Sequence, residues 1–296
     1  MYDRLFLKHR EIQVNDTRVS WTDDYTKRVR TFARYPITTL EPFLFGIVLT
    51  VEQFEHVFKL YLKTSFTQYF AQVSATERAM CEIISLHKLQ NQFMSNNPTP
   101  KEILAQKTLV VMMKKRLIYF FLDLDPKDAI KIFYLGNEHG IRESAWKELV
   151  DDSASCARAI SNVLTVANCY VFLATTEEMI HWGVDFFIIT DQNENWCVTV
   201  KAGLQNAPFY IEHVSIRPFS HQHDYGAISR RMIFNGTQQM NLEYNESFLA
   251  ARILVGKPNG DMIDSQSYEE DREKVKHFLK KDRSHKRFDE KKTEAA

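Results

Sequence analysis

The segment TTEEMIHWGVDFFIIT at 175–190, followed after DQNE by NWCVTVKA at 195–202, decides the fold of this chain. β-branched and aromatic residues fill both pieces, and the polar tetrapeptide between them predicts a hairpin with strands over 183–190 and 195–202. A loop centred between Gln192 and Asn193 sets Asp185 across from Val200, one position short of Lys201. Strand twist or a bulge then brings the two charged side chains to one edge of the sheet. The alternative is an ordinary exposed hairpin, with Asp185 at a strand start and Lys201 snorkelling at its end.

Outward from the hairpin, residues 142–168 carry Ala, Val and Leu at helical spacing, FYIEHVSI at 209–216 reads as a third strand, 224–240 as a helix and AARILVG at 250–256 as a fourth strand. A charged helix is expected over 267–281. The order helix, three strands, helix, strand describes an α/β layer. Upstream, from Leu40 to Tyr134, apolar residues recur at helical spacing. Phe54, Val57, Phe58, Tyr61 and Leu62 make one face, and Leu109, Met112, Met113, Leu117 and Phe120 another. Ser74 stands three residues before Glu77 as in a capping box, while Asn96-Asn97-Pro98 and Asp125-Pro126 punctuate. Residues 1–37 are charged and irregular, and predict an arm or a short strand pair. The expected class is therefore α+β or α/β: a mostly helical region at 1–140, an α/β core at 141–265, and a charged helical or disordered tail at 266–296.

Composition narrows the function classes. Lys+Arg and Asp+Glu both total 38 in 296 residues, which excludes a histone-like basic balance but allows a local basic face. No stretch has the 18 or so consecutive apolar residues that span a bilayer, and LVVMMKKRLIYFFLDL carries Lys114, Lys115 and Arg116 at its centre. A cytoplasmic protein with no membrane partner is expected. Cys81, Cys156, Cys169 and Cys197 lie far apart with no zinc spacing, so they are expected as reduced core residues. There is no GxGxxG loop, P-loop, HExxH or GxSxG elbow.

An acidic residue and a lysine on neighbouring strands, with a further carboxylate at Glu177 or Glu178 before the first, form a tool for phosphate chemistry. Carboxylates hold Mg²⁺ through hard oxygen ligands, and a lysine positions water or offsets charge on a phosphate. The string EEMIHWGVDFFI, a short loop, then CVTVKA resembles the core of the PD-(D/E)xK nuclease superfamily, whose fold is restriction-endonuclease-like. The resemblance covers about 142–256 and implies a core with a mixed sheet there, with the helical region at 1–140 binding substrate or a partner. It implies Mg²⁺- or Mn²⁺-dependent hydrolysis of DNA phosphodiesters, in defence or mobile-element processing. Asp185, Glu178 and Lys201 would be the catalytic set, and Asp185, Glu178, Glu177 and the Val200 carbonyl the metal ligands. Thr199 stands where the family carries Glu or Asp, a departure that opens a second expectation: a non-catalytic nucleic-acid- or protein-binding subunit retaining the nuclease-like core. A third is an interaction protein unrelated to nucleic acid.

Two further clusters bear on partners. His221, His223 and Asp224 in PFSHQHDYG, with His213 nearby, read as a polar loop with Asp224 capping the next helix rather than as a zinc site. His221 or His223 could alternatively contact a scissile phosphate. Arg230 and Arg231 follow on the helix, as backbone clamps or as a solvated face. The expected partner is nucleic acid, DNA ahead of RNA, with a homodimer or protein partner through the helical region.

Overall fold

The computed structural model describes residues 12, 17–34, 50–70, 73–93, 96–138, 143–166, 168–191, 194–205, 208–215, 225–257 and 269–280. Its class is α+β. The chain divides into two compact units: a helical one of 14–157 with 175–181, and a sheet unit of 1–13, 158–174 and 182–296.

The helical unit contains α1 (Asp23–Ala33), α2 (Val51–Phe70), α3 (Ala75–Gln92), α4 (Pro100–Asp123), a 3₁₀ turn (Pro126–Asp128), α5 (Ala129–Glu138), the first part of α6 (Glu143–Val166) and α7 (Thr176–His181). The caps explain the starts. Ser74 and Glu77 form the expected capping box on α3, and Thr99 with Glu102 forms another on α4, where Pro100 takes the first helical position. Phe54, Phe58 and Leu62 of α2 are buried, as are Leu109, Met112, Met113, Leu117 and Phe120 of α4. Glu82 of α3 joins the layer to α4, accepting from Arg116 at 2.7 Å and from Arg78 at 3.1 Å. Among the described residues no helix is long and apolar enough to cross a membrane.

Helix α1 corrects the expectation of an irregular arm or strand pair over 1–37. Thr22 caps it, Asp23 and Asp24 sit in its first turn, and Val29, Phe32 and Ala33 are buried. The charges hid a short amphipathic face. Immediately before it Trp21 is buried; its backbone N–H donates to Asp128 Oδ2 at 2.7 Å and its indole N–H to Thr26 Oγ1 at 2.8 Å. Of the rest of 1–37, most of 1–16 lies outside the described residues, although the Ile12 N–H donates to the Val171 carbonyl in the sheet unit.

The sheet unit runs from the end of α6 through β1 (Cys169–Leu173), β2 (Phe186–Thr190), β3 (Asn195–Gln205), β4 (Tyr210–His213), α8 (Tyr225–Tyr244) and β5 (Phe248–Lys257) to a last helix over 269–280. The five strands form one open mixed sheet in the order β1-β2-β3-β5-β4. β1, β2 and β3 are antiparallel neighbours, β5 lies parallel to β3, and β4 pairs antiparallel with the far side of β5. A parallel neighbour requires a crossover, and β4 with α8 supplies it. β1 is the strand that the pattern of 169–173 did not single out; it pairs with β2 over its whole length. Met240 of α8 meets Cys197 on one face of β3, sulfur to sulfur at 3.6 Å, while Trp196 on the other face packs against Phe278, ring centroids 5.0 Å apart.

The register of the β2–β3 hairpin differs from expectation by one residue. The Thr190 N–H donates to the Glu194 carbonyl at 3.0 Å and Thr190 Oγ1 accepts from the Glu194 N–H, so the turn closes on Thr190 and Glu194 and not on Thr190 and Asn195. Phe186 therefore pairs with Val198, where the expected register would have set it against Thr199. Because side chains alternate with a period of two, this shift decides which of them share a face.

Candidate functional site

The chain enters β2 through Gly183 at φ +67°, a left-handed conformation that glycine adopts without the Cβ penalty; a Cβ there would also lie 2.8 Å from Met232 Cγ. Asp185 follows, only 5% exposed. Its N–H donates to the Val198 carbonyl at 2.8 Å, and its own carbonyl accepts from the Ala174 N–H at 3.1 Å, which holds it between the ends of β1 and β3. Regular β2–β3 pairing stops at Phe186, yet β3 continues. The Val200 N–H consequently faces the side that β2 no longer covers, and Asp185 Oδ2 accepts it at 2.7 Å. The Thr199 hydroxyl lies 3.4 Å from the same oxygen. The carboxylate thus stands in for a missing strand carbonyl, satisfying a buried donor that would otherwise be orphaned.

Thr199 and Lys201 lie on one face of β3, and the Asp185 carboxylate just before β2 comes within 3.4 Å of the Thr199 hydroxyl on that face. Lys201 is half-buried and makes no hydrogen bond or ion pair among the described residues. On the other side of β3 the register sets Thr199 beside Arg252 of β5, and Arg252 beside Glu212 of β4. Arg252 is 6% exposed. Its Nη1 donates to Glu212 Oε1 at 3.2 Å. Arg230 of α8 forks onto the same carboxylate, Nε to Oε1 at 2.6 Å and Nη2 to Oε2 at 3.1 Å, and the Tyr210 hydroxyl lies 3.4 Å from Oε2. Arg230, expected as a backbone clamp, is therefore held by Glu212, while Arg231 beside it is exposed. Glu212 and Arg252 were not singled out from sequence. The available signal was a lone arginine inside the apolar strand AARILVG.

Glu178 and Glu177 belong to α7 in the helical unit. Glu178 is buried and closes a capping box: its Oε2 accepts from the Thr175 N–H at 2.7 Å, and its N–H donates to Thr175 Oγ1 at 3.2 Å. T-x-x-E at 175–178 signals this in the sequence. Glu177 is exposed. In the same unit Lys115 is pushed below the usual lysine range by burial, with Glu55 and Glu178 opposing that fall. Burial raises the Glu55 carboxyl, but Lys115 and the Lys59 ammonium 2.6 Å away outweigh it, and the group sits below the ordinary carboxylate range. His221, His223 and Asp224 lie outside the described residues.

The donors of the sheet face fit a hard cation poorly. Asp185 brings one carboxylate that already accepts from the protein, and Thr199 brings a hydroxyl where a second carboxylate would be needed. Among the described residues no group of three or more His, Cys, Asp or Glu side chains could hold a metal ion. What this face offers chemically is positive charge beside hydrogen-bonding groups, the complement of an anion.

No family model matches the chain, no curated protein does, and no solved structure does.

Proposed function

We propose that the sheet unit is a nuclease-like nucleic-acid-binding module that holds the phosphate backbone of DNA without hydrolysing it. One observation carries this reading. Thr199 and Lys201 share one face of β3, the Asp185 carboxylate is engaged by the Val200 N–H and the Thr199 hydroxyl, and the lysine makes no ion pair among the described residues. The element order supports the nuclease-like, restriction-endonuclease-like core: helix, antiparallel strands bearing Asp185 and Lys201, then helix α8 and a parallel strand. A lysine donates to phosphate as a point charge, and contacts of that kind give affinity that falls steeply with salt. The helical unit would select the substrate or a protein partner.

The test is fluorescence anisotropy of the full chain with duplex DNA, single-stranded DNA and RNA across a salt series, in EDTA and in Mg²⁺. Metal-independent binding whose salt slope falls by about 0.9 in Lys201→Ala is expected. Absence of binding to every probe at low salt overturns the proposal.

Metal-dependent DNA hydrolysis is the second reading, favoured by the Asp185 carboxylate lying 3.4 Å from Thr199, two residues before Lys201 on β3. Incubating plasmid, linear duplex and single-stranded DNA with Mg²⁺, Mn²⁺ or EDTA separates the two. Cleavage that needs metal and is lost in both Asp185→Asn and Lys201→Ala establishes hydrolysis; intact DNA in every lane supports binding alone.

A further inference from the structure

Helix α8 buries one side and leaves the other in solvent. Ile233, Thr237 and Met240 are buried, and Met240 is the residue that meets Cys197 of β3. On the outer side Ile228 is 68% exposed, Met232 42% and Leu242 80%, with Asn235 and Gln239 exposed between them. Positions 228, 232, 235, 239 and 242 are spaced alternately four and three residues apart, the repeat that keeps a stripe in line along a helix and that paired helices use as their seam. A helix face that ends in water ordinarily carries charge. Here the stretch MIFNGTQQMNL at 232–242 contains none, although 26% of the chain is charged. Exposed Arg231 borders it at one end and exposed Glu243 at the other. A centre depleted of charge inside a charged rim is the composition of a protein–protein contact.

The rim selects the occupant. Opposite charges at opposite ends make the face complementary to itself when two copies meet antiparallel, because the Arg231 end of each then lies level with the Glu243 end of the other. Parallel pairing would set like charge level with like, and the helix dipoles oppose it as well. A two-fold axis gives an isologous contact, in which Ile228 of each copy comes against Leu242 of the other and the Asn235 and Gln239 amides meet near the middle, where polar residues fix register at some cost in affinity. The 20 residues of α8 form a rod about 30 Å long and about 10 Å across, a footprint of about 300 Å² per copy. A standard stable interface covers about 800 Å² per partner, so this area supports a weak, concentration-dependent pair and not a permanent one.

We infer that the outer face of α8 is the contact through which two copies of this chain form a weak antiparallel dimer. The inference goes beyond the nucleic-acid reading and does not depend on it, since it uses neither Lys201 nor any ligand.

The experiment is sedimentation velocity of the full chain without nucleic acid, from low micromolar to near millimolar concentration, in the wild type and Leu242→Glu. The wild type should pass from monomer to dimer across the series. Leu242→Glu puts a charge into the seam twice by symmetry and should raise the dimer Kd about tenfold or more. Its melting temperature should stay unchanged, because Leu242 is exposed within the single chain. Orientation is read by mixing Ile228→Cys with Leu242→Cys, oxidising, and mapping the linked peptides by mass spectrometry, a readout that introduces no charge. Links between positions 228 and 242 are expected. A wild type that stays monomeric at every concentration overturns the proposal, as does a dimer that Leu242→Glu leaves at full strength, since its contact then lies elsewhere. Links confined to 228 with 228 and 242 with 242 overturn the antiparallel arrangement.

Discussion

Replacing Asp185 by alanine removes the acceptor of a buried backbone donor, and the cost can be worked from the geometry. The Val200 N–H to Oδ2 distance is 2.7 Å, the carboxylate is 5% exposed, and β2 has no further residue to offer a carbonyl in its place. Leaving a buried donor unsatisfied costs about 1–3 kcal/mol. A central value of about 2 kcal/mol, at about 3 °C per kcal/mol for a unit of this size, lowers the melting temperature by about 6 °C. Asp185→Asn keeps an amide oxygen for Val200 and gives up only the charge assistance, so its loss should be under about 1 kcal/mol. Circular dichroism melts of the full chain measure both, and amide hydrogen exchange at Val200 localises the effect: protection should fall in Asp185→Ala and persist in Asp185→Asn. A Val200 amide equally protected in the alanine variant, together with an unchanged melt, would refute the strap described for this carboxylate. The pair also separates roles at the site, since a loss of DNA binding or cleavage in Asp185→Asn then reflects charge and not unfolding.

Two other perturbations follow from the packing. His87 is buried in α3, and burial holds its imidazole down at about 4, so the folded protein requires the neutral ring. Its contribution to stability is complete above the unfolded value near 6.5 and is lost as pH falls from there to about 4, amounting to about 2 kcal/mol after allowance for partial solvent screening. Denaturant unfolding from pH 7 to 4 should show a shallower decline in His87→Gln than in the wild type; parallel curves would exclude the buried ring as a source. Gly236 of α8 lies so close to Trp182 that a Cβ would fall 2.3 Å from its carbonyl oxygen. Gly236→Ala should therefore destabilise the sheet unit by about 1–3 kcal/mol despite alanine's better helix propensity, and a raised melting temperature would contradict that close approach.

The hairpin, the helix after it and the strand at AARILVG were legible in the sequence because their periods were clear: alternating β-branched residues, a helical stretch, then an apolar run; that this strand returns parallel to β3 was not. Two things were hidden. The register depended on whether Thr190 or Asn195 closed the turn against its partner, a choice made by a backbone bond to Glu194 that composition does not encode. The shift leaves the Thr199 hydroxyl 3.4 Å from the Asp185 carboxylate. The function of Glu178 as a cap was written in T-x-x-E at 175–178, but a carboxylate just before a candidate acidic strand draws attention to chemistry first. Glu212 and Arg252 were illegible for a different reason: each sits in a strand of its own, and only the order β3-β5-β4 makes them neighbours. Helix α1 was obscured because an apolar face of three residues in eleven is easily outvoted by charge.

The chain passes back and forth between its two units, since 175–181 returns to the helical one between β1 and β2. Neither unit is therefore a continuous stretch that a single cut could liberate, and the ribosome cannot finish one before beginning the other. The helical unit waits for α7, and β3, once made, waits about 40 residues for the parallel partner that covers its open edge, roughly 2–8 s at ordinary elongation rates. During that interval a strand rich in apolar side chains presents unpaired backbone groups. Vectorial synthesis thus exposes this protein at the very strand that carries Thr199 and Lys201, and a truncation ending before Phe248 would leave that exposure permanent.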